Sequence, residues 1–243
     1  RPEYRTELIG LVAEDEAERA AIRAPDGRIE EVLHPWVVGC DGVRSAVREQ
    51  LVGDAVRVSG HVVYRAVVEA ADFPADLRWN APVVWCGPDC HLVHYPLRGG
   101  EQYNVVVTFH SREAESWSVR EGSPEEVRSY FRDILPQPRQ LIDLPKSWKR
   151  WATADREPIG RWSHGRATLL GDAAHPMLQY LAQGACMALE DAVTLGEALR
   201  AQPDDLPGAF ARYERSRVAR TARVVLSARE MGRVYHAKGV ERL

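Results

Sequence analysis

Leu169-Leu170-Gly171-Asp172-Ala173-Ala174-His175-Pro176, continued by Met177-Leu178-Gln179-Tyr180-Leu181-Ala182-Gln183-Gly184, is the stretch whose reading decides the fold. A short apolar run, Ala167 to Leu170, stops at Gly-Asp, which predicts a buried strand ended by a turn. A glycine-containing loop follows, and then a strong helix former, Ala185 to Leu199, with apolar residues at 189, 192, 193, 195 and 199. A strand that hands over to a loop and a helix start leaves backbone N–H groups without intrahelical partners at the positive end of the helix dipole. Such an arrangement suits an anionic or electron-rich ligand edge. Asp172, at the end of the strand, is placed to accept hydrogen bonds from sugar hydroxyls.

Working outward, Trp36 to Cys40 reads as a second buried strand, and it stops at Asp41-Gly42. A helix is expected from Val43 to Glu49, with Ser45 available to cap it or to contact a ligand. Upstream, Tyr4 to Ala13, Arg19 to Ala24 and Arg28 to Leu33 form a β-meander, with turns at Asp15-Glu16 and Pro25-Asp26-Gly27. Between the two strand-end turns the pattern changes to longer strands, His61 to Ala70, Val83 to Trp85, Cys90 to Leu97 and Gln102 to His110, a mostly antiparallel sheet. Ser123-Pro124-Glu125-Glu126 opens a helix to about Ile134, stopped before Pro136-Gln137-Pro138, and Leu141 to Trp151 reads as a connector. A long amphipathic helix runs from Ala209 to about Val234. The expected division is 1–55, 56–150 (β-rich), 151–200 and a C-terminal helical segment, 201–243.

With 243 residues, 45% hydrophobic and 28% charged, the chain has an ordinary globular composition. A formal charge of −3 gives no electrostatic reason to expect nucleic acid as a partner. No apolar run approaches the roughly 18 residues of a membrane span and no signal peptide opens the sequence, so a cytoplasmic protein is expected. Four cysteines, at 40, 86, 90 and 186, do not suggest a disulfide framework. Cys86-x3-Cys90-His91-x2-His94 gathers soft-metal ligands, but its flanks read as strands, whose alternation sends near neighbours to opposite faces, and its spacing matches no zinc pattern. No metal is expected.

Trp36-Val37-Val38-Gly39-Cys40-Asp41-Gly42-Val43-Arg44-Ser45 resembles the Asp-Gly motif of the class A FAD-dependent aromatic hydroxylases. Leu170-Gly171-Asp172-Ala173-Ala174-His175-Pro176 is similar to their Gly-Asp motif, with a β-rich insertion between the two as in that family. The resemblance implies an α/β protein, an FAD/NAD(P)-binding fold of the aromatic-hydroxylase type interleaved with a mostly antiparallel β-sheet substrate domain. It implies FAD and NADH as cofactors, a small aromatic acid and O2 as reactants, and leaves a homodimer open. His91-x3-Tyr95, Gln179-Tyr180 and Ala182 to Ala192 are similar to hydroxylases that turn 3-hydroxybenzoate into gentisate. Salicylate and 6-hydroxynicotinate hydroxylases share much of this frame and supply the alternative substrates. The family opens with a Gly-x-Gly-x-x-Gly turn that is absent from this sequence, so the chain is expected to start after that βαβ unit. A cofactor-free remnant that binds an aromatic ligand without catalysis is therefore the second reading.

Hydroxylation is faster on a phenolate than on a phenol, and a free phenol has a pKa of about 10. A base must then take the proton, and histidine is the side chain whose pKa sits nearest neutrality. The resemblance selects His91, and strand alternation puts His91 and Tyr95 on one face with His94 on the other. The plain alternative for His91 is a hydrogen-bonded histidine of a sheet. Gln179 can donate and accept together, so it would orient the substrate phenol or the flavin peroxide, and Tyr95 would line the pocket. Pro176 would fix the loop beside the flavin, with the N–H groups of Gly184 and Ala185 toward its ring. Asp172 and Gly171 would serve the ribityl or ribose side, and Asp41, Gly42 and Arg44 the pyrophosphate and NADH. Glu190 and Asp191 are expected only to complement the helix dipole, and Arg212, Arg215, Arg217 and Arg220 only to form a solvated or packing face.

Overall fold

The computed structural model describes residues 5–15, 17–132 and 134–242. Tyr4 and Glu16, which the sequence placed in the first strand and its turn, and Asp133, in the expected helix after Ser123, lie outside the described residues. Two compact units divide the chain: the described residues up to Arg57 with Ala154–Arg229, and Val58–Thr153 with the described residues from Glu230 onward.

In the first unit, β1 (Glu7–Ala13), β2 (Glu18–Arg23) and β3 (Ile29–His34) make the antiparallel meander. β4 (Val37–Gly39) follows and leads through the Asp41-Gly42 turn into α1 (Ala46–Leu51). β11 (Ala167–Leu169) lies parallel to β4, with Val37 opposite Ala167, Val38 opposite Thr168 and Gly39 opposite Leu169. After β11 come α4 (Gly184–Ala201) and α5 (Leu206–Tyr235). Val47, Trp162, Leu169, Ala173, Leu195, Phe210 and Tyr213 close the core of this unit. Gly39 is a glycine because the Val47 and Leu169 side chains crowd it. A Cβ there would sit 2.8 Å from Val47 Cβ and 3.0 Å from Leu169 Cδ2. Gly39→Ala should therefore lower stability by about 1–3 kcal/mol through overpacking, read as an earlier urea midpoint with an unchanged slope.

In the second unit, β5 (Arg57–Glu69), β6 (Val83–Gly87), β7 (Cys90–Leu97), β8 (Gln102–His110), β9 (Val119–Gly122) and β10 (Trp148–Asp155) form a sheet in the order β6-β7-β8-β5-β10-β9. Alternation sorts its side chains. Val62, Tyr64, Leu92, Val105, Val107 and Phe109 face a core closed by α2 (Pro124–Tyr130) and α3 (Pro136–Ile142), through Val127, Leu141 and Ile142. Each such buried side chain contributes roughly 1.5–3 kcal/mol of transfer free energy. The other face carries His91, Asn104 and Thr108, which are also buried.

Two expectations fail between 130 and 155. The helix capped by Ser123 ends at Tyr130 rather than near Ile134. Pro136 does not close a helix; it opens α3 at its first position, where a missing N–H and a fixed φ are both tolerated. The stretch expected as a connector, Leu141 to Trp151, holds the end of α3 and half of β10, whose residues 148–151 pair antiparallel with 122–119 of β9. Arg150 disguised that strand. It points inward with 2% exposure and is bonded to Glu115. The later helices run slightly longer than expected, to Ala201 and from Leu206.

Candidate active site

The parallel pairing of β4 and β11 brings the two acidic turns side by side at the carboxyl ends of adjacent strands, and Leu170 N–H continues the pairing by donating to Gly39 O. This strand-end position is where open α/β sheets bind ligands. Arg48, on α1, locks the turns together. Fully buried, it donates from Nη1 to the carbonyls of Ala173 (3.2 Å) and Ala174 (2.7 Å) and pairs through Nε and Nη2 with Asp54. Arg156 donates to Asp54 as well. Burial pushes the Asp54 carboxyl up, but Arg48 and Arg156 more than offset it and hold it below its ordinary value.

Asp41 has partners within its own turn and helix. Its Oδ1 accepts the Ser45 hydroxyl at 2.5 Å, and its Oδ2 accepts the N–H groups of Ala46 and Val47 at 2.7 and 3.2 Å. Ser45 Oγ caps Arg48 N–H, as the sequence suggested. The exposed Asp41 carboxylate thus completes the cap of α1, and Gly42, at φ 80°, supplies the left-handed turn between them. Arg44 is exposed on the same turn.

On the second turn Gly171 also needs a positive φ, 63°, and a Cβ there would press to 3.2 Å against Ala188 of α4. Its N–H donates to Asp191 Oδ2 at 3.1 Å, an oxygen that also meets His175 Nε2 at 2.5 Å. Arg217 of α5 donates to Asp191 Oδ1 at 2.7 Å and to Glu190 at 2.6 Å, and Arg220 also grips Glu190. These contacts correct two sequence expectations. Asp191 is not a dipole partner but a fully buried anchor for the Gly171 turn, and Arg217, expected only on a solvated or packing face, is a buried ion-pair partner of Asp191 and Glu190, while Arg220 stays exposed and pairs with Glu190.

Asp172, Met177, Leu178, Gln179, Ala182, Gln183, Gly184 and Ala185 line a cleft of about 300 Å³. Asp172 and Gln179 are exposed, whereas Pro176 is buried beneath the loop. Ala182 holds a left-handed φ of 52°, a strained conformation for a non-glycine residue, and strain of this kind gathers at functional loops. The 18-residue helix α4 starts at Gly184 without a side-chain cap, so its first N–H groups are presented to the cleft. A Cβ on Gly184 would lie 3.8 Å from Asp172 Oδ1 and 3.9 Å from Met177 Cγ, in ordinary van der Waals contact, so the α4 start and the carboxylate are neighbours across the cleft.

His91 and Tyr95 belong to the second unit, on one face of β7. They stand opposite Thr108 and Asn104 of β8. His91 is 3% exposed and its Nδ1 lies 2.7 Å from His236 Nε2. Burial first, then the His236 and His61 rings, lower His91 to about 3, so the imidazole is neutral at pH 7. His94 points to the opposite face, where it accepts from Trp85 Nε1 at 3.3 Å and meets the Phe73 ring at a tilt. Cys86 is exposed and Cys90 buried, which splits the Cys-His cluster as strand alternation requires. Among the described residues no group of three or more His, Cys, Asp or Glu is arranged to hold a metal ion.

Sequence reasoning missed four contributors. Arg48 and Asp191 carried no signal beyond being charged residues within a helix pattern. Asn104 and Thr108 sit in an apolar strand and are 2% and 0% exposed, and Asn104 Nδ2 and Thr108 Oγ1 have no hydrogen-bond partner among the described residues. Polar residues interrupting a run such as Val105-Val106-Val107 were the available clue.

Two glycine-acid turns joined by a parallel strand pair, with a helix start over a cleft beside them, define a nucleotide-cofactor protein of α/β type. The chain belongs to the FAD binding domain family, whose model matches residues 1–228, and within it to the class A flavoprotein aromatic hydroxylases. It is 75% identical over 207 residues to a 3-hydroxybenzoate 6-hydroxylase of Polaromonas naphthalenivorans (strain CJ2), covering 85% of this chain and 52% of that protein. It is 68% identical over 206 residues to a 3-hydroxybenzoate 6-hydroxylase of Klebsiella oxytoca, again covering 85% and 52%. The chain thus spans about half the length of these curated relatives. Among solved structures, a salicylate hydroxylase substrate complex superposes with a TM-score of 0.84 at 26% identity, over 98% of this chain and 63% of that one. Klebsiella pneumoniae HpxO complexed with FAD and uric acid gives 0.81 at 25%, over 97% and 59%. No helix among the described residues is long and apolar enough to cross a membrane.

Proposed function

We propose that this chain forms part of an FAD-dependent monooxygenase that hydroxylates 3-hydroxybenzoate to gentisate with NADH and O2. The observation that carries the reading is the joining of both acidic turns on one strand pair beside the α4 start. The residues present fit a flavin. The exposed Asp172 carboxylate accepts hydrogen bonds from sugar or ribityl hydroxyls, and the uncapped N–H groups at Gly184 and Ala185 favour an edge where negative charge develops. When bound, the flavin supplies hydride acceptance from NADH and activation of O2.

The remaining chemistry falls to the chain. Asp41, Gly42 and Arg44 serve the pyrophosphate and NADH, and Pro176 fixes the loop over which the ring lies. His91, neutral at pH 7, takes the phenolic proton; Gln179 orients the phenol, and Tyr95 lines the pocket. The substrate itself rests on the two relatives named for 3-hydroxybenzoate, at 75% and 68% identity, which favours it over salicylate, whose structural relative stands at 26%.

Two measurements test this. NADH consumption should rise with 3-hydroxybenzoate and not with salicylate, with gentisate as product; stimulation by salicylate alone would overturn the substrate. A colourless protein that binds 3-hydroxybenzoate would instead support the non-catalytic reading. Asp172→Ala should weaken flavin retention, read as lost visible absorbance after gel filtration; unchanged occupancy would remove Asp172 from the cofactor site.

A further inference from the structure

β8 carries two polar side chains among apolar ones. Asn104 is 2% exposed and Thr108 0%, and their Nδ2 and Oγ1 atoms are enclosed without a hydrogen-bond partner among the described residues. Leaving a buried donor unpaired is costly, so each such group calls for a role. Register places them: Asn104 stands opposite Tyr95 of β7 and Val67 of β5, and Thr108 opposite His91 and Val63. All belong to the second unit, on the sheet face away from its core. We propose that Asn104 is the carboxylate anchor for the aromatic acid, its Nδ2 donating to the carboxylate of a 3-hydroxybenzoate whose phenol meets His91. The proposal rests on the reading of His91 as the base and of 3-hydroxybenzoate as the substrate.

The pairs His91/Thr108 and Tyr95/Asn104 are four residues apart along the strands, about 13 Å at a rise of about 3.3 Å per residue. A benzoate ring with its hydroxyl toward one pair and its carboxylate toward the other, and a hydrogen bond of about 2.8 Å at each end, fits that span. The meta arrangement holds the two groups apart, so both ends are met together. In the ortho isomer, salicylate, the hydroxyl and carboxylate are neighbours that hydrogen-bond each other, and one molecule does not engage both pairs. Asn104 thereby reads the ring position of the acid as well as its charge.

The donor is reached by side-chain rotation alone. Of the two ends of the amide, Nδ2 is the one enclosed without a partner, and the terminal torsion of asparagine is broad and roughly two-fold, so a half-turn exchanges the ends. Open surface begins beside it, because Val67, its β5 neighbour, is 52% exposed, and Tyr95, its β7 neighbour, is only half-buried. Arg65, on the same face of β5 opposite Val106, is exposed and sets a positive charge on this side of the sheet. The acid on that face of β5, Glu69, is held by Gln102 Nε2 at 2.6 Å. An ionised carboxylate only accepts, and it makes a stronger bond to an amide N–H than a neutral oxygen does.

The test titrates the flavin-loaded protein by calorimetry, without NADH, with 3-hydroxybenzoate and with 3-methylphenol, which keeps the phenol and carries a methyl group in place of the carboxylate. Asn104→Leu keeps the bulk of the side chain and removes the donor; Asn104→Ala removes both and carries the same comparison if the leucine variant does not fold. Each is expected to weaken 3-hydroxybenzoate about ten- to hundredfold, the worth of a hydrogen bond to a charged group, while 3-methylphenol keeps its wild-type affinity. Thr108→Val, at the phenol end, should treat the two ligands alike. The melting temperature of unliganded Asn104→Leu should not fall, since an apolar group of similar shape replaces an unpaired polar one. Equal losses for both ligands in the Asn104 variants, or no loss, overturn the anchor, as does the same selective loss in Thr108→Val. A lowered melting temperature with unselective losses marks a structural asparagine and also overturns it. Wild-type protein that does not bind 3-hydroxybenzoate defeats the substrate reading beneath the proposal.

Discussion

His91→Ala should retain flavin and lose hydroxylation by about 10²–10⁴-fold, the usual worth of a positioned general base. The argument begins with the strand. β7 fixes the imidazole on the face it shares with Tyr95, and β8 sets Thr108 opposite it, so the ring position is determined by sheet register rather than by a loop. Removing the ring leaves the second unit's core intact, because that core lies on the other face, around Leu92, Val105 and Phe109. NADH should still be consumed, and oxygen consumption should diverge from gentisate formed, with hydrogen peroxide making up the difference. Coupled turnover at the wild-type rate would exclude His91 as the base.

Asp191→Ala should be the most destabilising of the variants considered. Asp191 is fully buried and accepts from Gly171 N–H and Arg217, and it also meets His175 Nε2. Breaking a buried ion pair by removing one partner costs about 3–5 kcal/mol, since the other charge is stranded. Here Arg217 keeps Glu190 at 2.6 Å, which puts the expected loss near the lower end, about 3 kcal/mol. The loss should appear in the denaturant midpoint and in weaker flavin retention, because the Gly171 turn loses its anchor. Burial raises the Asp191 carboxyl, but His175, Arg217 and the Gly171 N–H together hold it below its ordinary 3.8. A depressed folded-state pKa contributes stability above the unfolded value and loses it as pH falls through the folded one. Wild-type protein should therefore lose stability on acidification below about pH 4, and Asp191→Ala should show a flatter acid limb.

Both turns were legible because an apolar run ending in Gly-Asp or Asp-Gly has few alternatives to a strand end. α4 was legible because its apolar residues keep helical spacing. The failures have physical reasons. In sequence Pro136 reads as a stop, although proline at the first helical position is a start, and only the chain after it decides between the two. Arg150 and Lys149 made β10 look like a polar connector, while one of the pair turns inward to Glu115. Asp191 reads in sequence only as part of its own helix, but its partners come from Gly171 and from Arg217, 20 and 26 residues away. The His91–His236 contact was out of reach: His236 lies 145 positions from His91, and no local spacing announces a contact made by the chain's return.

The β4–β11 pair joins residues 37–39 to residues 167–169, with a whole sheet strung between them. Doubling the length of such an intervening segment adds only about 0.6 kcal/mol of closure entropy. Evolution can thus lengthen, trim or exchange that segment while the two turns stay fixed, so under the proposed function the choice of aromatic acid would drift without retuning how the coenzyme is gripped.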